Sequence, residues 1–416
     1  MWGKDMFKIK TIEERINLSN KMYPLYDGLS KDLLFYIAID TLFLSVAKGF
    51  SAFQISFLGV VPTFICILMQ PILLKSVKKL GNVNASRVGT FMLLLSAILK
   101  TFGATFLVIS IAQVLYDGAF VFKSMESISL RNNLEYQNNS PAYMRIRGAS
   151  NTIYATATFI IAIVAGPLFN ISPYLPMYLC ITFCLITCIL SFSFYEVKIN
   201  NLQDKTEKKD ENKKRKKGKM SRIILMGLIS NTIFLNVVVV GQQDSKLFIQ
   251  YQLTDWYGIT KTATYLSLIV ASSRLVRIIL NMAFNRYYMK FKNQVPIVLS
   301  IILAIGFLSI ILGAVLPLHN IIKVLLMALG FDLIIPMRDT FIIYMEDLML
   351  KNTEKIEQQE VFANMEILRK LGKVSMNFLV SLLVIKLDLF YIMWIFLITA
   401  VIEAMLSRQI VKLTKI

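Results

Sequence analysis

The chain has 416 residues, of which 56% are hydrophobic and 17% charged, so it is far more apolar than an ordinary soluble domain. Many windows of about 20 apolar residues could each cross a bilayer as a helix, and these unbroken runs exclude a transmembrane β-barrel. The formal net charge of +19 does not indicate a nucleic-acid partner, because Lys and Arg accumulate in the cytoplasmic loops of membrane proteins.

The first 31 residues differ from the rest of the chain because they mix both charge signs and lack a long apolar run. No apolar segment typical of a cleavable signal peptide is present there. The stretch 1–31 is therefore predicted to be a cytosolic lead-in.

The apolar segments predict an all-α polytopic membrane protein with twelve transmembrane helices, six on each side of a basic stretch. The first six are expected at 32–50, 52–76, 87–102, 104–131, 148–170 and 173–195. The second six are expected at 221–246, 262–284, 295–316, 320–347, 362–385 and 388–408. The predicted domains are a six-helix bundle at 32–195, a linker at 196–220, a second bundle at 221–408 and a tail at 409–416.

The central linker is the most polar part of the chain. Between Lys205 and Lys219 it carries nine Lys/Arg and three Asp/Glu, with no strongly apolar residue, which predicts a solvated tether. The other Lys/Arg-rich loops alternate with short loops that carry almost no charge. The positive-inside rule then places the linker and both termini in the cytosol.

Two short fragments of the first half resemble fragments of the second. IDTLFLSV of the first helix aligns with SNTIFLNV of the seventh, and YDGAFVFK of the fourth aligns with FDLIIPMR of the tenth. Both bundles have the same orientation, so a duplication relating them would be a parallel repeat. The paired residues are Asp40 with Asn231, Asp117 with Asp332, and Lys123 with Arg338.

This arrangement of six plus six helices around a basic loop resembles the major facilitator superfamily over roughly residues 30–410. The loop after the second helix has a motif in that family, G-x-x-x-D-R-x-G-R-R, of which this chain keeps Lys79 and Gly81 but has Lys78 at the Asp position. The equivalent loop of the second half keeps Arg286. The resemblance implies a central pathway lined by helices one, four, seven and ten.

Charged residues inside the predicted helices follow this division. Each costs about 2.5–3.5 kcal/mol on insertion scales, so those that persist usually face a bundle interior or a water-filled cavity. They are Asp40 in the first helix, Asp117, Lys123 and Glu126 in the fourth, Asp244 and Lys246 in the seventh, Arg274 and Arg277 in the eighth, and Asp332, Arg338 and Asp339 in the tenth. The third, sixth, ninth and twelfth helices carry almost none, and Lys100 and Glu403 are expected near helix ends.

Asp40 is the leading candidate for proton coupling because no basic residue lies within one turn of it in the sequence. Such a carboxyl group could bind and release a proton and so change the balance between two conformations. Asp117, Asp332 and Glu126 are the next candidates. The alternatives for Asp40 are a hydrogen bond to a neighbouring helix or a solvated position near a helix end.

The remaining polar residues of these helices are candidates for binding a substrate. They are Lys123, Asn231, Gln242, Gln243, Asp244, Arg274, Arg338 and Asp339. Structural alternatives stay open: Lys123 can pair with Glu126 three residues on, Arg274 can neutralise Asp332, and the segment GQQDSK at 241–246 can be a solvated helix end.

No metal or organic cofactor is predicted. The cysteines at 180, 184 and 188 share one face of an apolar helix, where packing is favoured over thiolate ligation. The chain lacks the G-x-x-x-x-G-K-[ST] loop that would bind ATP. Because the predicted helices also carry carboxyl groups that suit proton binding, the coupling ion is expected to be H⁺. A membrane enzyme is not favoured, since the loops are Lys/Asn-rich and the chain has one histidine.

These features predict a secondary active transporter that moves a small polar or ionic solute by alternating access of its two halves. Efflux of lipophilic cations is an alternative, which the intramembrane basic residues disfavour, and a receptor without net flux is another. The expected partners are a small-molecule substrate and the lipid bilayer, with no nucleic acid and a monomeric chain. The Lys-, Ile- and Asn-rich composition suggests a bacterial cytoplasmic membrane.

Overall fold

The computed structural model describes residues 11–139, 142–197, 222–291, 294–352 and 358–414. In these ranges all regular secondary structure is helical. Most of the central linker, 198–221, lies outside the described residues, so its predicted role as a tether stays a prediction.

The predicted membrane segments are helical, but several consist of two helices joined by a short break. The first half contains α1 (Ile12–Ser30), α2 (Tyr36–Leu42) followed by a π-helical turn (Phe43–Ala47), α3 (Ala52–Phe57), α4 (Val61–Leu80), α5 (Asn82–Phe102), α6 (Phe106–Lys123), α7 (Met125–Tyr136), α8 (Ala142–Ile171) and α9 (Leu175–Ser191). The second half contains α10 (Arg222–Phe291), α11 (Val295–Val315), α12 (Asn320–Ile334), α13 (Met337–Asn352), α14 (Gln358–Val384) and α15 (Leu389–Thr414).

Eight helical stretches of the described chain are long and apolar enough to cross a membrane, which makes the chain an integral, multi-pass membrane protein. One of them, Arg222–Leu280, has 59 residues and would measure about 90 Å as a straight helix. It bends instead at Gly258, whose φ of 75° lies in the left-handed region that glycine adopts readily. The predicted loop between the seventh and eighth helices is therefore mostly helix.

Helix α1 occupies the segment where a lead-in was predicted. Thr11 and Glu14 form a capping box at its start, in which each side chain accepts a hydrogen bond from the other residue's backbone N–H. Ile16, Tyr23 and Tyr26 recur at helical spacing and are at most 1% exposed. The predicted lead-in at 1–31 therefore contains a helix over residues 12–30, which buries an aromatic and polar face.

The chain forms two compact units, which do not follow the predicted bundles. Unit 1 contains the described residues of Met1–Leu34, Leu68–Ala157 and Tyr178–Lys219. Unit 2 contains those of Phe35–Ile67, Thr158–Met177 and Met220–Ile416. Two segments of the first half, 35–67 and 158–177, thus pack with the second half.

The core of unit 1 connects α1 to α7 and to the segment after α9. Phe194 places its ring edge-on to Tyr26, with ring centroids 4.5 Å apart, and to Tyr23 at 6.2 Å. Leu130 and Leu134 of α7 complete this buried cluster. Aromatic contacts of this kind hold the otherwise polar α1 against the helices around it.

In unit 2, helices α11 and α12 cross closely at Gly306 and Gly330. A Cβ atom added to Gly330 would lie 2.5 Å from the Gly306 carbonyl oxygen, so the two backbones meet directly. We expect Gly330→Ala to destabilise the protein by about 1–3 kcal/mol, because the helices must separate. Thermal denaturation of the purified protein measures this. Gly148→Ala is the control, because nothing lies within 4 Å of that Cβ position, and it should be neutral or stabilising.

The observed helix bounds can be compared with the two internal sequence alignments. The aligned fragments of the fourth and tenth helices each lie beside a helix break, between α6 and α7 and between α12 and α13. Asp40 lies in the first half of the helical stretch that α2 forms with the π-helical turn, and Asn231 lies near the start of α10. The pairing of Asp40 with Asn231 stays a prediction.

Candidate functional site

Unit 1 contains an ionic cluster, which we define as Asp27, Lys31, Lys123, Glu126 and Arg147. Asp27 of α1 is its centre, with a side chain only 3% exposed. The carboxylate of Asp27 lies 3.2 Å from the Lys31 Nζ, 3.5 Å from the Lys123 Nζ and 3.5 Å from the Arg147 Nη1. Three cations, one just after α1 and the others in α6 and α8, therefore converge on one buried carboxylate.

The predicted pair between Lys123 and Glu126 is confirmed, with Nζ and Oε1 2.8 Å apart. The Lys123 Nζ also lies 5.1 Å from the centre of the Tyr26 ring. The second carboxylate oxygen of Glu126 is buried and makes no hydrogen bond within the described part of the chain. Lys123 and Glu126 thus belong to one network with Asp27, which the sequence analysis did not identify.

Hydroxyl groups complete this network. Arg147 donates hydrogen bonds to the Tyr23 hydroxyl at 2.9 Å and to the Ser127 hydroxyl at 3.2 Å, and the Ser150 hydroxyl donates to Asp27. Buried charges are tolerated when they are paired and hydrogen-bonded in this way. The cluster therefore connects α1, α6, α7 and α8 in unit 1.

Asp117, the other candidate of unit 1, has different neighbours from the ionic cluster. Its carboxylate accepts a hydrogen bond from the Gln113 amide at 3.3 Å, and Gln113 in turn accepts one from Lys100 at 2.7 Å. Lys100 lies in the last turn of α5, near the helix end as expected, but it is buried there, at 1% exposed.

In unit 2, two segments of the first half, 35–67 and 158–177, contact helix α10. We call this contact the polar joint. Its ion pair is between Asp40 of α2 and Lys246 of α10, with Oδ1 and Nζ 2.5 Å apart. Lys246 also donates to the Ile37 carbonyl at 3.0 Å. Asp40 is therefore not the isolated carboxyl group that the sequence analysis assumed, because its partner lies more than 200 residues away.

Further hydrogen bonds of the joint connect α10 to the segment 35–67. Gln250 donates to the Ser45 hydroxyl at 2.6 Å, and Gln243 donates to the Ile55 carbonyl at 3.1 Å. The Ser56 hydroxyl donates to Asp244 Oδ1 at 3.0 Å, while Oδ2 of this 1%-exposed residue has no partner in the described chain. The segment 241–246 is thus a packed contact, and its alternative reading as a solvated helix end is wrong.

The other arm of the joint is formed by α8 and the part of α10 after Gly258. The Ser267 hydroxyl donates to the Ala162 carbonyl and accepts from the Gly166 N–H at 3.1 Å. The Asn170 amide donates to the Thr264 hydroxyl at 3.0 Å. Small residues let the two backbones approach, since a Cβ atom on Gly166 would overlap the Ala263 carbonyl oxygen.

Asp332 of α12 and Asp339 of α13 both contact α10 but have different partners. Asp332 accepts a hydrogen bond from the Ser272 hydroxyl at 2.9 Å. Asp339 forms a two-pronged pair with Arg277, at 2.6 Å and 2.8 Å. Arg274 does not pair with Asp332, so the neutralisation considered from the sequence is absent between these two residues.

The remaining candidates are Asn231, Gln242 and Arg338. Asn231 is 1% exposed, and neither atom of its amide group is hydrogen-bonded within the described residues. Gln242 is partly buried beside the joint, and Arg338 is exposed. The structure therefore brings together Asp40, Gln243 and Asp244 but leaves Asn231 and Gln242 outside the described hydrogen bonds of the joint.

Glu403 of α15 is a buried charge that the sequence analysis placed near a helix end. It is 0% exposed and accepts hydrogen bonds from the Ser230 hydroxyl at 2.5 Å and the Ser407 hydroxyl at 3.0 Å. That expectation is wrong because α15 continues to Thr414, which places Glu403 well inside the helix.

No protein-family model matches the chain, and no curated protein matches it by sequence. Solved structures do match its fold. A mutant of the nucleoside transporter NupG aligns with a TM-score of 0.69 at 9% identity, covering 96% of this chain and 100% of that one. A bacterial homologue of the iron transporter ferroportin, in an inward-facing state, gives 0.67 at 12% identity over 97% and 100% of the two chains. A D-xylose–proton symporter gives 0.65 at 11% identity over 95% and 96%.

Proposed function

We propose that this chain, which has the fold of the major facilitator superfamily, is a secondary active transporter that moves a small polar or ionic solute by alternating access. Its structural neighbours include a nucleoside transporter and a D-xylose–proton symporter, which supports a transport role by analogy. The observation that carries the proposal is the polar joint, through which two segments of the first half contact the second half.

A transporter that alternates needs a contact between its halves that can form and break. The polar joint suits this requirement, because its contacts include hydrogen bonds, an ion pair and close backbone approaches at glycine and serine. Such polar groups can exchange their partners for water at a net cost of about 0.5–1.5 kcal/mol per hydrogen bond. An apolar contact of the same size would be harder to open.

The proposed topology has twelve crossings. Helix α10 supplies two of them by bending at Gly258, and pairs of consecutive helices such as α6 and α7 supply single crossings. An even number of crossings places both termini on the same side, which the positive-inside rule makes the cytosol. The bacterial cytoplasmic membrane remains the proposed location.

Proton coupling is proposed through carboxyl groups that lack a cationic partner. Lys246 already neutralises Asp40, whereas Asp244 and Asp332 each accept a hydrogen bond from one serine hydroxyl and form no ion pair with a described residue. A carboxyl group in such a site can bind and release a proton without breaking an ion pair. Asp244 is the preferred site, because it lies in the joint itself and its protonation state would affect the joint.

Spin labels on the two sides of the joint, combined with reconstitution in liposomes, would test the proposal. We expect two distance populations between labels near α2 and α10, and flux of a bound solute across the liposome membrane. A single closed population together with no flux of any solute that binds would contradict the transporter and favour a receptor.

Asp40→Asn should shift the joint toward its open population. Loss of the ion pair with Lys246 removes about 1–2 kcal/mol from the closed form, so the ratio of open to closed should rise about five- to thirty-fold. The same spin-label distances measure it. Arg277→Gln is the matched control, because it breaks an ion pair inside the second half and should leave the ratio unchanged.

A further inference from the structure

We infer that the substrate is an organic anion and that Arg274 binds its carboxylate or phosphate group. The inference rests on the proposed function only in calling this ligand a transported substrate. Its basis is the arrangement of charges around Arg274 in unit 2.

Arg274 is a buried cation without a counter-ion. The residue is 6% exposed, and it makes no hydrogen bond or ion pair with any residue that the structure describes. The nitrogen atoms of its guanidinium group are also absent from the fully buried, unpaired atoms of the described chain, so each keeps some exposed surface. These nitrogen atoms can therefore donate hydrogen bonds to a ligand.

The neighbouring acidic residues are engaged elsewhere. Asp332, the counter-ion considered from the sequence, accepts its hydrogen bond from Ser272, and Asp339 is held by Arg277. Asp244 accepts from Ser56 and forms no ion pair with a described residue. Arg274 is therefore left without a carboxylate, although three acidic residues lie on the same or neighbouring helices.

A second positive charge, that of Lys246, lies near Arg274. Lys246 lies close enough for the two like charges to interact, and its one carboxylate partner is Asp40. Two cations thus share one anion, which leaves one positive charge in a buried region. Gln242, one turn before Lys246 on α10, adds an amide group that makes no hydrogen bond in the described structure.

An anionic ligand would supply the missing partner. The planar guanidinium fork forms two parallel hydrogen bonds with a carboxylate or a phosphate, and such charge-assisted bonds are about twice as strong as neutral ones. A cation would be repelled by Arg274 and Lys246 together. The same charges therefore disfavour lipophilic cations as substrates.

Thermal stability of the purified full chain tests the inference with charged and uncharged ligands of matched shape. The probes are glucose 6-phosphate against glucose, and lactate and succinate against lactamide and succinamide. We expect at least one anion, and not its uncharged counterpart, to raise the melting temperature. Arg274→Gln should weaken its apparent affinity about 10- to 100-fold, and Arg274→Lys should weaken it less.

Stability without ligand is a second, independent measurement. Because Arg274 has no counter-ion among the described residues, Arg274→Gln should leave the melting temperature unchanged or raise it. Arg277→Gln should instead lower the melting temperature, because it removes the partner of Asp339. A clear loss of stability in Arg274→Gln would overturn the inference, because it would show that Arg274 is already neutralised within the protein.

The outcomes separate this inference from the proposed function. Arg274-dependent binding of an anion without flux into liposomes supports the binding site and contradicts the transporter. Flux of an uncharged or cationic solute, unaffected by Arg274→Gln, supports the transporter and overturns the anion site. If no anion stabilises the wild-type protein more than its uncharged counterpart does, the inference is also overturned.

Discussion

Asp27→Asn is expected to destabilise the protein by about 3–5 kcal/mol, because it removes the carboxylate from a buried ionic cluster. Lys31, Lys123 and Arg147 all lie within 3.5 Å of that carboxylate. Asparagine keeps the shape of the side chain but not its charge, so three cations would share the single carboxylate of Glu126. Thermal or denaturant unfolding of the detergent-solubilised protein measures the loss.

Glu135→Gln is the matched control for this experiment. Glu135 pairs with Arg131 at 2.8 Å, but the two side chains are 43% and 72% exposed, so this pair is worth at most about 1 kcal/mol. Lys123→Met should approach the effect of Asp27→Asn, because it leaves Asp27 and Glu126 as neighbouring carboxylates without their shared cation. If Asp27→Asn costs no more than Glu135→Gln, the cluster does not hold unit 1 together as described.

The ionic cluster also shows what the sequence could and could not predict. The pair of Lys123 with Glu126 was predictable, because three residues along a helix place two side chains on one face. The role of Asp27 was missed because α1 is too polar to resemble a membrane helix. Its capping box at Thr11 and Glu14, followed by apolar residues at helical spacing, was the signal available.

The bounds of a membrane helix were predicted closely where the helix is one continuous apolar run. The segment expected at 295–316 corresponds to α11, Val295–Val315, because a run of apolar residues is a local property of the sequence. The segment after 246 was misread as a loop, although Leu247, Ile249 and Leu253 are completely buried in unit 2. Gln250 of this segment donates a hydrogen bond across the polar joint to Ser45.

Pairing between distant residues could not be read from the sequence. Asp40 was judged isolated because only its neighbours within one turn could be considered, and Lys246 becomes its partner only when α2 packs on α10. The same limit affected Arg274, for which a counter-ion was expected on the tenth helix. Helix packing fixes which side chains meet, so the sequence predicted the charged positions but not their partners.

A cross-link across the polar joint is expected to stop transport completely. The Asn170 amide and the Thr264 hydroxyl lie 3.0 Å apart, with one residue in each half of the chain. Cysteines at these two positions, in a protein whose native cysteines (Cys66, Cys180, Cys184 and Cys188) are replaced by alanine, should be joined by a short thiol-reactive cross-linker. If the joint must open in every cycle, flux of the bound solute should fall to background and return on reduction.

The control is a cross-link that leaves the joint free. Phe102 and Tyr178 lie within the first half and within unit 1, with ring centroids 6.2 Å apart, so cysteines there can be joined by the same reagent. That protein should keep most of its flux, because alternating access moves the halves and not the helices within one half. Retained flux in the cross-linked Asn170→Cys/Thr264→Cys protein would mean that the joint is a permanent structural contact. The gating role would then be lost, whereas the charge argument for Arg274 would stand, because it depends on ligand binding and not on movement of the joint.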